Sequence, residues 1–335
     1  MKKRIVLLMP IITLASSIAA QSWNHTEAEV VVVDSVYDEV YADSVADYAV
    51  ADTSIVVGDN DNLQDFTYGE LGKYVSDVDK DIPFAGGYYN KNTFVVIIAN
   101  QNYQRESDVD FALNDGDSFA DYCNLALGIP ESNIHLIKDG TLNHMIYELD
   151  WLNNVCMAYD GDASVIFYYA GHGVPNESDG NPFLLPVDGS GKNMRTCYGL
   201  DELYSTLGTM PAKQIIVFMD ACFSGSKRNG EILTSARGVA IKAKQGVPKG
   251  KLIILSAAQG DETAYSYREE GHGLFTYFLL KKLKETKGNA TLEELARYVK
   301  TQVRRHSIVE NEKSQTPSIS YSSQMENNWR QMKLK

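Results

Sequence analysis

VIFYYAGHG (residues 165–173) and IIVFMDACFSG (residues 215–225) share one build. Each opens as an apolar run with little polar alternation, which suits a strand buried on both faces. Each then breaks into small residues around one reactive side chain, His172 in the first and Cys222 in the second. Such strands belong to parallel sheets, where active sites lie beyond the carboxyl ends of the strands. A histidine and a cysteine at two such ends can meet as general acid/base and nucleophile. The glycines fit that use: Gly173 lets the backbone approach a bound carbonyl, and its N–H can help to hold an oxyanion. Taken singly, a buried cysteine is more often packing, and a lone histidine is more often a satisfied core or surface residue. The two together, in order and at matching strand ends, reverse that reading.

The flanking sequence supplies the rest of a sheet. Residues 92–100 (NTFVVIIAN) form a third continuous apolar run, and 133–137, 214–219 and 252–255 predict further strands. Between them apolar residues recur at helical spacing. Phe119, Tyr122, Cys123 and Ala126 are closed by Gly128 and Pro130, and Thr141 caps a helix carrying Ile146, Leu149, Leu152 and Val155. Leu200, Leu203, Tyr204 and Leu207 mark another helix, Leu274, Phe275, Phe278 and Leu279 a fourth, and Thr291 with Glu294 a capping box that opens a fifth. Strands alternating with helices predict the α/β class, with a mostly parallel central sheet flanked by helices on both faces. A second GHG, Gly271-His272-Gly273, precedes an apolar helix and reads as a loop-to-helix junction, with His272 near the cleft at most. His135 and His144 suggest no partner.

The chain has 335 residues, 44% of them hydrophobic, enough for one large core or two modest ones. Its four cysteines (123, 156, 197 and 222) show no CxxC and no paired Cys/His spacing, so neither a disulfide framework nor a zinc site is expected. Residues 1–20 read as a secretory signal: Lys2-Lys3-Arg4, an apolar stretch over 5–14, and Ser17 and Ala19 before a cut at Ala20. An uncleaved anchor is the rival, but the stretch is short for a span of about 20 residues. No later run is long enough to cross a bilayer. The expectation is an exported protein, periplasmic or extracellular, with no membrane span after signal removal.

Charge sets residues 21–88 apart as an acidic leader or propeptide, ahead of a domain over 89–335. Residues 21–83 hold fifteen acids against Lys73 and Lys80, which equals the −13 of the whole chain. The remainder, with 26 basic and 29 acidic residues, is close to neutral, so no nucleic-acid partner is expected. The leader reads equally as a solvated linker or as a segment that covers something. In the second case it docks on the basic loop described below, or threads Lys73 or Lys80 toward acids at the site.

At these residues the chain resembles the caspase-like cysteine peptidases, closest to metacaspases and their bacterial relatives. YAGHG resembles the family's SGHG, and DACFSG its DSCHSG. Asn114-Asp115 after Ala112, LLPVD at 184–188, GHGLFTYFLL and the late Gln315-Thr316-Pro317 extend the likeness over roughly residues 92–320. Ala170, Ala112 and Phe223 depart from the commoner residues of the family. The resemblance implies a caspase-hemoglobinase fold and a dyad in which Cys222 forms an acyl-enzyme while His172 protonates the leaving amine and then activates water. The N–H groups of Gly173 and Cys222 would stabilise the oxyanion. No cofactor is required for this chemistry.

Asp220 lies two residues before the nucleophile, so strand alternation points both side chains to one side. Asp115 matches the other acid of the metacaspase S1 pocket. Two carboxylates there imply a basic P1, Arg or Lys, by direct pairing. The bland alternatives are a helix N-terminal acid for Asp115 and a loop hydrogen bond for Asp220. Partners would be protein or peptide substrates; the oligomeric state is not legible. Metacaspases can need calcium, and Asp188, Asp201 and Glu202 resemble three of their ligands, with Asn229 near the place of a fourth. The loop over 223–251 carries seven basic residues against Glu231 and reads as an activation loop self-cleaved at Arg228, Arg237, Lys242 or Lys244. The rivals are a clostripain-like peptidase of the same clan and a catalytically silent caspase-like binding module.

Overall fold

The structure, a computed structural model, describes residues 55–57, 64–66, 76–224, 246–260 and 262–335. The signal, most of the leader and the candidate cleavage positions Arg228, Arg237, Lys242 and Lys244 lie outside the described residues. The chain divides into a unit over 1–73 and a larger one over 74–335. In the first, β1 (Ile55–Val57) and β2 (Gln64–Phe66) pair antiparallel. The second unit starts earlier than the expected residue 89, because the polar stretch before it packs onto the domain and Val78 is fully buried in the core.

The larger unit runs β3 (Thr93–Ala99), α1 (Ala112–Asp121), β4 (Ile134–Lys138), α2 (Leu142–Ala158), β5 (Ser164–Ala170), β6 (Gly173–Pro175), β7 (Pro182–Leu184) and β8 (Tyr198–Gly199). It continues with α3 (Leu200–Thr209), β9 (Gln214–Asp220), β10 (Leu252–Ser256), β11 (Ser266–Tyr267), β12 (His272–Gly273), α4 (Leu274–Thr286), α5 (Leu292–Asn311) and β13 (Ser318–Tyr321). Six strands form the central sheet in the order β13-β10-β9-β5-β3-β4. All neighbours are parallel except β13, which runs antiparallel along β10. The architecture is α/β with a mostly parallel sheet between helices.

The unbroken apolar runs are explained by helices on both faces. Val95, Ile97, Ile166, Tyr168, Ile216 and Phe218 pack with α1, α4 and α5. The alternate residues Phe94, Val96, Ile98, Val165, Phe167 and Val217 pack with α2 and α3. Helix α1 lies close on the sheet at Gly116, where a Cβ would fall 2.6 Å from that of Ala99. Both predicted caps form. Glu294 and Thr291 exchange backbone-to-side-chain bonds at α5, and His144 does the same with Thr141 at α2. His135 has a partner after all: its Nδ1 lies 2.6 Å from Glu148 and its ring stacks on Trp151. None of the four cysteines forms a disulfide, and all four are buried.

Candidate active site

The parallel register of β5 on β9 pairs Ala170 with Asp220. His172 and Cys222 therefore stand at the same two-residue distance beyond that pair, on strands spaced about 4.8 Å apart. The Gly171 N–H donates to the Asp220 carbonyl at 3.3 Å and ties the two strand ends together. Gly173 approaches so closely that a Cβ there would fall 2.6 Å from the Cys222 carbonyl oxygen and 2.5 Å from Phe223 Cδ1. Both reactive residues are buried, His172 at 2% and Cys222 at 4% exposure.

The segment between β3 and α1 orients the imidazole. The His172 N–H donates to the Tyr103 hydroxyl at 2.8 Å, and the two rings lie 4.7 Å apart. His172 Nε2 lies 2.8 Å from the Ser107 carbonyl. A carbonyl only accepts, so Nε2 carries the proton and Nδ1 is the acceptor nitrogen of the neutral ring. Behind the loop, the Tyr169 hydroxyl lies 2.8 Å from the His172 carbonyl and 3.0 Å from that of Leu185. Sequence reading named none of these supports. The Ser107 contact is made by backbone and has no side-chain signature, and Tyr103 lies in a polar loop without periodicity.

Asp220 ends β9 and is fully buried. Its Oδ2 accepts from the Thr276 hydroxyl of α4 at 2.6 Å, and Tyr168 donates to Thr276 at 2.6 Å. Cys222 packs in the same core as α4, so the alternation expected for these two residues places both on the α4 side.

Asp115, in the first turn of α1, is also fully buried. Its Oδ1 accepts from His272 Nδ1 at 2.9 Å, and both oxygens accept from the Gly273 N–H, at 3.0 and 3.1 Å. Gly273 is the N-cap of α4, so Asp115 serves that helix terminus as well as its own. In the structure an internal histidine thus faces the carboxylate that the resemblance assigns to the S1 pocket. His272 Nε2 points the other way, 3.1 and 3.2 Å from the Asp79 oxygens. A carboxylate at each ring nitrogen requires both nitrogens to donate, which makes the ring an imidazolium. Burial opposes that charge, but hydrogen bonds and attraction from Asp115 and Asp79 outweigh it and lift the His272 pKa to about 9. Lys80 does not reach toward these acids. Its side chain is exposed and its carbonyl accepts from Lys284, while Asp79 makes the approach.

Of the calcium candidates, Asp188, Asp201 and Glu202 are described and Asn229 lies outside the described residues. Asp188 accepts from the Leu142 N–H at the start of α2, whereas Asp201 and Glu202 lie in the first turn of α3. Among the described residues no three His, Cys, Asp or Glu gather as an ion site.

A family model described as the caspase domain matches residues 92–328. Among solved structures, a protein from Geobacter sulfurreducens is similar at 17% identity and a TM-score of 0.51, covering 69% of this chain and 93% of that one. Caspase-1 from Spodoptera frugiperda aligns at 15% identity and a TM-score of 0.49, over 72% of this chain and 93% of its own. No curated protein matches the sequence.

Proposed function

We propose a function from a premise that the match over residues 92–328 establishes: the chain belongs to the caspase-domain peptidase family. It acts as a cysteine endopeptidase that cleaves after Arg or Lys. The observation that carries this reading is the common register of β5 and β9, which sets His172 and Cys222 side by side at the sheet's carboxyl edge. The Cys222 sulfur attacks the scissile carbonyl as His172 Nδ1 takes its proton. The same nitrogen returns that proton to the leaving amine and then activates water against the thioester. Ser107 holds Nε2–H throughout, so the ring works from one orientation. The N–H groups of Gly173 and Cys222 stabilise the oxyanion. Nothing in this chemistry calls on a metal or organic cofactor.

Asp220, on the Cys222 side of the sheet, is the acid that reads a basic P1 side chain, while Asp115 faces His272. The enzyme is exported and made as a zymogen, with self-cleavage in the 223–251 loop and protein or peptide substrates as its partners. An Arg-based acyloxymethyl ketone tests the reading. Labelling of wild type that disappears in Cys222→Ala supports it, as does conversion of purified wild type to two fragments while Cys222→Ala stays intact. Absence of labelling by Arg, Lys and Asp probes, even after limited proteolysis, would establish a binding module instead.

A further inference from the structure

The five residues Ser76–Lys80 precede the matched caspase domain, which begins at residue 92, yet they are strapped across it. Val78 is fully buried and its carbonyl accepts from the Tyr122 hydroxyl at 2.8 Å. Ser76 donates to Glu270 at 2.6 Å, in the turn just before His272. Asp77 pairs with Lys281 and accepts from Tyr277, both on α4. Ser118 of α1 donates to Asp79 at 2.6 Å. One short segment thus touches α1, α4 and the turn between β11 and β12.

We propose that Asp79 is a positioning residue for the substrate cleft: it seats the His272 ring against Asp115, and the three side chains together fix the hairpin of β11 and β12 beside Cys222. The geometry runs in one chain. Asp79 holds Nε2, His272 holds Asp115 through Nδ1, and Asp115 holds the Gly273 N–H at the end of the hairpin. The strand leading into β11 carries the buried Tyr265, and Ala264 just before it packs in the same core as Cys222. Tyr265 is in turn bonded through its carbonyl to the Leu274 N–H at 2.9 Å. The groups facing His272 are Asp115 and Asn114 from α1 and Asp79 from the strap, with Glu270 two residues before it held by Ser76. Loss of the Asp79 charge leaves a buried imidazolium with one carboxylate. The ring then sheds its proton more readily, and Asp115 loses the cation that offsets its own burial. A residue outside the family domain thereby completes the support of its cleft.

The proposal deepens the peptidase reading but is tested apart from it, in full-length Cys222→Ala protein. Asp79→Asn is expected to speed amide exchange over residues 266–273 by about tenfold or more and to lower the His272 titration by about one pH unit or more. Asp77→Asn, which cuts another strap contact, is expected to leave both where they are, and Asp79→Glu to restore most of the wild-type behaviour. In the active chain, Asp79→Asn is expected to raise KM for a basic-P1 peptide by about tenfold while kcat stays within about twofold. Asp79→Asn that matches Asp77→Asn in exchange and titration overturns the proposal, and so does an unchanged KM in a labelled, active enzyme. If the exchange and titration results hold while no probe labels wild type, the positioning role stands and the peptidase reading fails.

Discussion

Raising the pH from about 6 to about 9.5 is expected to strip a large part of the stability of the domain, and roughly 3 kcal/mol of that loss traces to one proton. The His272 pKa stands at about 9 against 6.5 for an unperturbed ring. At 1.36 kcal/mol per pH unit, that elevation corresponds to roughly 3 kcal/mol. The sign follows from the direction. A pKa raised on folding contributes stability that is fully present below the unfolded value of 6.5 and fades as pH climbs through the folded value of about 9. Asp79 moves the opposite way. Burial raises its pKa, but the hydrogen bond and charge of His272 and the bonds from Ser118 and Ser76 lower it further, so its contribution is lost only on acidification. Buried thiols add a second alkaline loss, which the wild-type ring and its glutamine replacement share. Burial pushes Cys156 and Cys197 up to about 11 and Cys123 higher still, so they stay protonated in the fold at a pH where the thiols of the unfolded chain ionise, and burial also lowers His306. The assay is urea unfolding of Cys222→Ala protein at several pH values, with and without His272→Gln. The expected result is a decline steeper by roughly 3 kcal/mol than that of the glutamine variant. Parallel profiles for the two proteins would refute the imidazolium assignment.

Other variants probe the site directly. Gly173→Ala puts a methyl 2.5 Å from the Phe223 ring and 2.6 Å from the Cys222 carbonyl, so the labelling rate at Cys222 is expected to fall by about a hundredfold or more. Tyr103→Phe deletes the acceptor of the His172 N–H; a drop in kcat/KM of about tenfold is expected, with a stability loss of about 1–2 kcal/mol in urea. Asp220→Asn is expected to lower kcat/KM for Arg-P1 and Lys-P1 peptides by about a hundredfold while sparing an uncharged P1, whereas Asp115→Asn is read first in a lowered unfolding midpoint. Equal effects of the two substitutions on P1 preference would remove the distinction drawn between them.

The parallel strands and the dyad were legible because both rest on local pattern. Unbroken apolar runs at 93–99, 164–170 and 214–220 mark strands covered on two faces, and what lies past their ends follows from the chain direction alone. The edge strand β13 was not anticipated, since SISY is four residues long and half-buried throughout. Its place is set by pairing with β10, not by its own composition. The strap ahead of residue 89 was not legible for a similar reason. Ser76–Lys80 contains one apolar residue among polar ones, and its docking is made of contacts to residues some 40 to 200 positions away. The partners of His272 are 157 and 193 residues distant, and no spacing rule links them.

This changes what the acidity before the domain means. Asp115 is buried without solvent, and a carboxylate in that position costs several kcal/mol unless a cation or donors meet it. His272 meets it, but an imidazolium at the same depth carries its own desolvation cost, and Asp79 answers that one. The acids at 77 and 79 are therefore bound into the domain's charge balance, with Lys281 on one and His272 on the other. Residues 21–75 hold twelve further acids against Lys73. A cut that carried away Asp79 would strand the histidine beside a single carboxylate. A removable leader in this chain consequently ends before Ser76, and the strap stays with the domain it supports.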